Sequence, residues 1–134
     1  MDRSVEKLLL AAQDTGIANA ARAWQLKNDS AAGTAEELNA RMAEALSVMR
    51  DAAEKGLDPN LRSVSRLTGG NAAKLMQAAV SGQTMGGSLL GRICARALAV
   101  AECNAAMGRI VAAPTAGACG ILPAADRAGG IRLY

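Results

Sequence analysis

Leu38, Met42, Ala45, Leu46 and Met49 recur at the spacing of one helix face, and the stretch opens on Thr34 with Glu37 three residues later. That pair predicts a capping box, in which the threonine hydroxyl and the glutamate carboxylate each satisfy a main-chain N–H at the helix start. Gly56 after Lys55 predicts the end, as a C′ glycine, with the lysine complementing the helix dipole. Upstream, one helix is expected through Leu10–Gln13, capped by Ser4 and ended by Gly16. A second runs over Ala18–Lys27, carries Trp24 and stops in the polar NDSAAG. Leu57–Thr68, with Pro59 and two arginines, reads as a loop, and Ala72–Val80 as a short helix ended by Gly82. Met85–Gly108 reads as a linker and then a long helix, with Leu90, Cys94, Ala97, Ala101, Asn104 and Ala105 near one stripe. Gly91, Ala95, Ala99 and Ala106 leave much of the remaining surface small. The pattern predicts a mainly α, Ala/Gly-rich helical domain.

Composition changes the picture in one respect. The 134 residues are 51% hydrophobic, but 31 are alanine, none is Phe, and Trp and Tyr occur once each. At ~25 cal/mol per Å² of buried apolar surface, alanine contributes little per residue, so the core is thin and a covering partner is expected. The net charge of +3 comes from scattered residues without a basic run, which argues against nucleic-acid binding. Ser88–Ala106 is the longest apolar region, but Arg92, Arg96 and Glu102 interrupt it, whereas a membrane span needs about 20 nearly charge-free residues. Three cysteines, an odd number, and no stretch that reads as an export signal imply a cytoplasmic protein.

Candidate chemistry lies in two glycine-containing stretches. In Arg109–Pro123, RIVAAPTAGACGILP, a β-prone Ile110-Val111 feeds Pro114 and Thr115, and Gly117 and Gly120 bracket Ala118 and Cys119. Glycines there permit φ > 0 and close backbone approach, so a turn can aim N–H groups at a carboxylate or phosphate; an ordinary tight turn explains the same residues. Thr68-Gly69-Gly70-Asn71 precedes a helix start, where free N–H groups attract anions. Plain capping by Asn71 is the simpler reading of that stretch. Cys94 and Cys103, nine positions apart, fall about 180° apart around a helix and read as core thiols. Cys119 reads as a small residue lining the turn, since cluster-type CxxC spacing is absent.

The blocks LSVMRDAAEKGL (46–57), RLTGGNAAKL (66–75), SGQTMGG (81–87) and LAVAECNAAMGRIVAAPTAGACGILP (98–123) together resemble the alpha chain of the iron–sulfur L-serine dehydratases. The resemblance implies an L-serine ammonia-lyase, which eliminates water from L-serine to give aminoacrylate and then pyruvate and ammonia. It implies a [4Fe–4S] cluster in the full-length enzyme, acting as a Lewis acid on the substrate hydroxyl, and a beta chain or domain that completes the pocket. Alpha–alpha association is a further possible contact. Substrate-binding loops are implied at Thr68, Gly69 and Gly70 and at Pro114, Thr115, Ala116, Gly117, Ala118, Cys119 and Gly120. Ala116 stands where many relatives carry Asn. Residues 1–123 follow the pattern as the N-terminal portion of the alpha domain, and 124–134 read as an atypical tail. Asp126, Arg127, Gly129 and Gly130 there interrupt the apolar spacing of an expected helix, as a frameshift, premature stop or assembly error near codon 124 would. The family's cluster cysteines are expected downstream, so this chain alone is expected to bind no cluster and to be inactive. The alternative is a non-catalytic helical association module for a beta chain or another alpha domain.

Overall fold

A computed structural model describes residues 5–113 and 115–127. Ser4 and Pro114, the predicted first cap and the proline of the turn, lie outside the described residues. These fold as six α-helices and one 3-10 turn, without a strand: α1 (Val5–Thr15), α2 (Ile17–Asn28), α3 (Ala35–Lys55), α4 (Asn71–Val80), α5 (Gly87–Ala105), the 3-10 turn Ala116–Ala118, and α6 (Ile121–Arg127). The mainly α class is as the hydrophobic pattern predicts. The chain divides into two compact units that meet within α3, at Glu44 and Ala45.

In the first unit α1 and α2 pack on each other, joined by Gly16 in the left-handed region (φ 82°). The capping box of α3 forms as predicted: Thr34 N–H donates to Glu37 Oε2 (2.8 Å) and Glu37 N–H to Thr34 Oγ1 (3.2 Å). Arg41 folds back to donate to the carbonyl of buried Ala32.

The second unit is built on α5. Ala52 and Ala53 of α3 form a core cluster with Val100 and Cys103 of α5 and with Cys119, and Ile110 packs against it. Val100 and Pro123 are the largest fully buried side chains among the described residues, while Leu89, Leu90 and Met107 stand exposed. Size is thus inverted, with alanine inside and several leucines outside. The predicted stripe of α5 is corrected accordingly. Its buried face is Gly91, Ala95, Ala99, Glu102 and Cys103, whereas Leu90, Cys94, Ala101, Asn104 and Ala105 are exposed. The reason is close approach: a Cβ on Gly91 would meet the Ala79 methyl at 2.7 Å, and one on Gly56 would overlap the Ala99 carbonyl.

Gly56 follows the last residue of α3 as expected but not as a left-handed cap, since its φ is not positive. Its missing side chain makes room for α5. The end of α4 does carry the predicted glycine cap. Gly82 has φ 75°, Gln83 N–H donates to Ala78 O (2.9 Å) and Gly82 N–H to Ala79 O (3.4 Å), the paired bonds of a Schellman motif. The same motif ends α5, where Gly108 N–H donates to Cys103 O (2.8 Å) and Met107 N–H to Asn104 O (3.0 Å). Here a methionine occupies the left-handed position, at φ 62°.

Ile110-Val111 forms no strand, because a β-prone run needs a pairing partner and none exists among the described residues. The polar residues after Pro123 do not stop the helix, which runs to Arg127. Pro123 is tolerated in the first turn, where its N–H would lack a helical acceptor anyway. Asp126 is held there by Arg50 of α3, with Nε to Oδ2 at 2.9 Å and Nη2 to Oδ1 at 3.2 Å, its side chain only 5% exposed.

Candidate functional site: two loops on one helix

Both predicted loops rest on α5. The first, residues 57–70, closes on itself through Ser63: Ser63 N–H donates to Thr68 O (2.9 Å) and Thr68 N–H returns to Ser63 Oγ (3.2 Å). Val64 N–H donates to Ala105 O (3.1 Å), tying the loop to the end of α5. Arg62 Nη1 donates to Pro59 O (2.9 Å). Gly69 and Gly70 both lie at positive φ, 139° and 77°, and a Cβ on Gly69 would collide with the Leu61 carbonyl. These are the positions where the sequence requires glycine. Thr68 is exposed, Gly69 half-buried and Gly70 buried.

The start of α4 departs from plain capping. Asn71 provides no side-chain cap, and Gly70 is the N-cap residue. The free N–H groups point at Glu102 of α5: Gly70 N–H reaches Oε2 at 3.0 Å and Asn71 N–H reaches Oε1 at 2.9 Å. An anion does sit at this helix start, and it is the chain's own carboxylate, 7% exposed. The sequence offered Glu102 only as an interruption of an apolar run; a lone acid at a position otherwise suited to the core was the available signal.

In the second loop Thr115 is the N-cap of the 3-10 turn, its Oγ1 accepting from Ala118 N–H (3.3 Å). Thr115 O also accepts from Ala113 N–H (3.3 Å), so the turn is closed on both sides. Gly117 and Gly120 do not use the positive φ that glycine permits. Gly120 serves instead for close approach, as a Cβ there would meet Ala97 O at 2.7 Å, while one on Gly117 would meet only Thr115 Oγ1, at 3.9 Å. Thr115, Ala116 and Gly117 are exposed, Ala118 half-buried, and Cys119 and Gly120 buried. Cys119, read from the sequence as a small residue lining the turn, is the C-cap of the 3-10 turn and is itself buried in the core cluster.

The cysteines divide by environment. Cys103 and Cys119 are buried, but Cys94 is exposed, correcting its reading as a core thiol. It lies on the far side of α5 from Cys103, as the spacing requires, and that side is uncovered. Burial pushes the Cys103 thiol above its usual range, with the Lys55 charge opposing. In the folded chain, iodoacetamide should therefore modify Cys94 alone, with Cys103 and Cys119 reacting after denaturation. Mass spectrometry of the labelled peptides checks this, and rapid native labelling of Cys119 would mean that the turn opens.

Residues 5–129 match the family model for the serine dehydratase alpha chain. The chain belongs to that family. Similar to this serine dehydratase alpha-chain sequence is the probable L-serine dehydratase alpha chain of Bacillus subtilis (strain 168), 43% identical over 90 residues, 67% of this chain and 30% of that one. The L-serine dehydratase alpha chain of Peptoniphilus asaccharolyticus is 37% identical over 91 residues, 68% of this chain and 31% of its own. L-serine dehydratase 2 of Escherichia coli (strain K12) is 38% identical over 120 residues, 84% of this chain and 25% of its own. The chain thus spans under a third of the length of these relatives. No solved structure matches it. No helix among the described residues is long and apolar enough to cross a membrane.

The iron–sulfur cluster implied by the resemblance does not fit the residues present. Cys94 points away from Cys103, Cys103 and Cys119 are packed among Ala52, Ala53 and Val100, and no three His, Cys, Asp or Glu among the described residues could share a metal ion.

Proposed function

We propose that this chain forms part of a cytoplasmic L-serine ammonia-lyase, converting L-serine to pyruvate and ammonia, and that it contributes pocket walls without completing the reaction alone. The family match over residues 5–129 carries the reading. The loops 68–70 and 114–120 are the proposed walls, both mounted on α5 and both offering an exposed threonine, Thr68 and Thr115. Thr115 Oγ1 is already engaged by Ala118 N–H, which fixes the hydroxyl for a polar ligand group. A beta chain or domain would complete the pocket. The [4Fe–4S] cluster expected of the family enzyme is not one that these thiols hold.

Anaerobic reconstitution with iron and sulfide, followed by a pyruvate assay, tests the reading. The expected result is no pyruvate from the chain alone. Pyruvate is expected once a serine dehydratase beta chain and the remaining alpha-chain sequence of a relative are added in trans. Turnover by the lone chain would overturn its assignment as a partial pocket. If the complemented mixture stays inactive yet associates, the chain is a non-catalytic association module. The exposed Leu89, Leu90 and Met107 on and beside α5 favour that second reading.

A further inference from the structure

We infer that Glu102 is a positioning residue that permanently fills the anion seat at the start of α4, so that a substrate carboxylate is held elsewhere in the pocket. The inference rests on the proposal that the Thr68–Gly70 loop is a pocket wall. A glycine-rich stretch before a helix ordinarily invites an external anion, because its N–H groups are unpaired and carry partial positive charge. Here both oxygens of a buried carboxylate take those N–H groups, at 3.0 and 2.9 Å. An incoming carboxylate would have to displace a tethered group that is always present at high effective concentration, and then leave a second negative charge buried beside it.

The position of the seat is set by the core. Glu102 precedes Cys103, which is packed with Ala52 and Ala53, so the backbone that carries the buried carboxylate is fixed by the core. Its two bonds hold Gly70 at φ 77° while Ser63 grips Thr68 through both its carbonyl and its N–H. With the Gly70 and Asn71 N–H groups taken, the exposed residues on offer are Thr68 and Asn71, through their side chains. Recognition by this loop therefore runs through side chains, with Glu102 acting through the backbone that presents them.

The test uses the full 134-residue chain, labelled with nitrogen-15, and reads the Gly70 and Asn71 amides by NMR. In Glu102→Ala these amides should exchange about tenfold faster or more, as expected for loss of a charged hydrogen-bond acceptor. Formate should slow them again and shift their resonances, whereas chloride at equal ionic strength should not. If Glu102→Ala fails to fold, Glu102→Gln keeps the side-chain volume. Its NH2 cannot accept, and Gly70 N–H and Asn71 N–H now use different carboxylate oxygens, so one of the two amides should lose protection. In the unaltered chain, neither formate nor L-serine should move either resonance. Equal effects of formate and chloride in Glu102→Ala, unchanged protection of both amides in Glu102→Gln, or displacement of the unaltered seat by L-serine would each overturn the assignment. The pocket reading fails instead if the complemented mixture makes no pyruvate, which leaves the formate result standing, so the two ideas fail separately.

Discussion

Gly56→Ala should cost about 3 kcal/mol or more, the upper range for forcing extra atoms into a packed interior. The added methyl would overlap the Ala99 carbonyl, which is main chain of α5 and cannot swing aside as a side chain would. Relief requires α5 to withdraw, and α5 carries Val100 and Cys103 into the core cluster and Glu102 to the start of α4. For a chain of this length the loss is a large part of a total stability of roughly 7–20 kcal/mol. Backbone conformation adds no penalty, because the φ of Gly56 is not positive. Gly117→Ala is the matched control. It too lacks positive φ, and its nearest neighbour is Thr115 Oγ1 at 3.9 Å, so it should be neutral or slightly stabilising. Urea unfolding followed by circular dichroism separates the two; equal midpoints would mean that α5 does not lie against Gly56 in solution.

Arg50→Met should be the next most damaging change, at about 2–3 kcal/mol. It leaves the carboxylate of Asp126, 5% exposed, without the guanidinium that holds both its oxygens. The estimate sits below the full cost of breaking a buried pair because the Arg50 side chain is 34% exposed and water screens part of the interaction. Adding Asp126→Leu should recover most of the loss, since removing both charges also removes the desolvation cost. Denaturant midpoints of the two single variants and the double variant measure the coupling. Strictly additive losses would show that the two side chains do not act as a pair.

Local signals in the sequence were read well where both halves of the interaction lie within a few residues. The Thr34–Glu37 box and the Gly82 cap are of that kind, and both form. The α5 stripe was misread because hydrophobic periodicity assigns the interior to the larger side chains. Here Gly91, Ala95 and Ala99 face inward because they let neighbouring backbones approach. Glu102 and Asp126 were read as interruptions. Their partners lie 31–32 and 76 positions away, a separation that no window along the chain spans. Of the two candidate loops, the anion seat before α4 was legible as a seat, but neither the group that fills it nor the positive φ of Gly69 and Gly70 was, and the positive φ allowed for at Gly117 and Gly120 is absent. Met107 shows the limit from the other side: nothing in its chemistry announces a left-handed residue, and the position follows only from where α5 stops.

Heat capacity is where an alanine interior leaves its mark. Unfolding exposes apolar surface that raises heat capacity, and polar surface that lowers it. A core of Ala52, Ala53, Ala72, Ala79, Ala95, Ala99 and Ala124 has little of the first to release, while the leucines and methionines outside it are already wet. Stability in such a domain varies weakly with temperature, and its melting is broad in both directions. Covering the outer leucines with another protein surface would add apolar area to be released on unfolding, restore the missing curvature and sharpen the thermal transition.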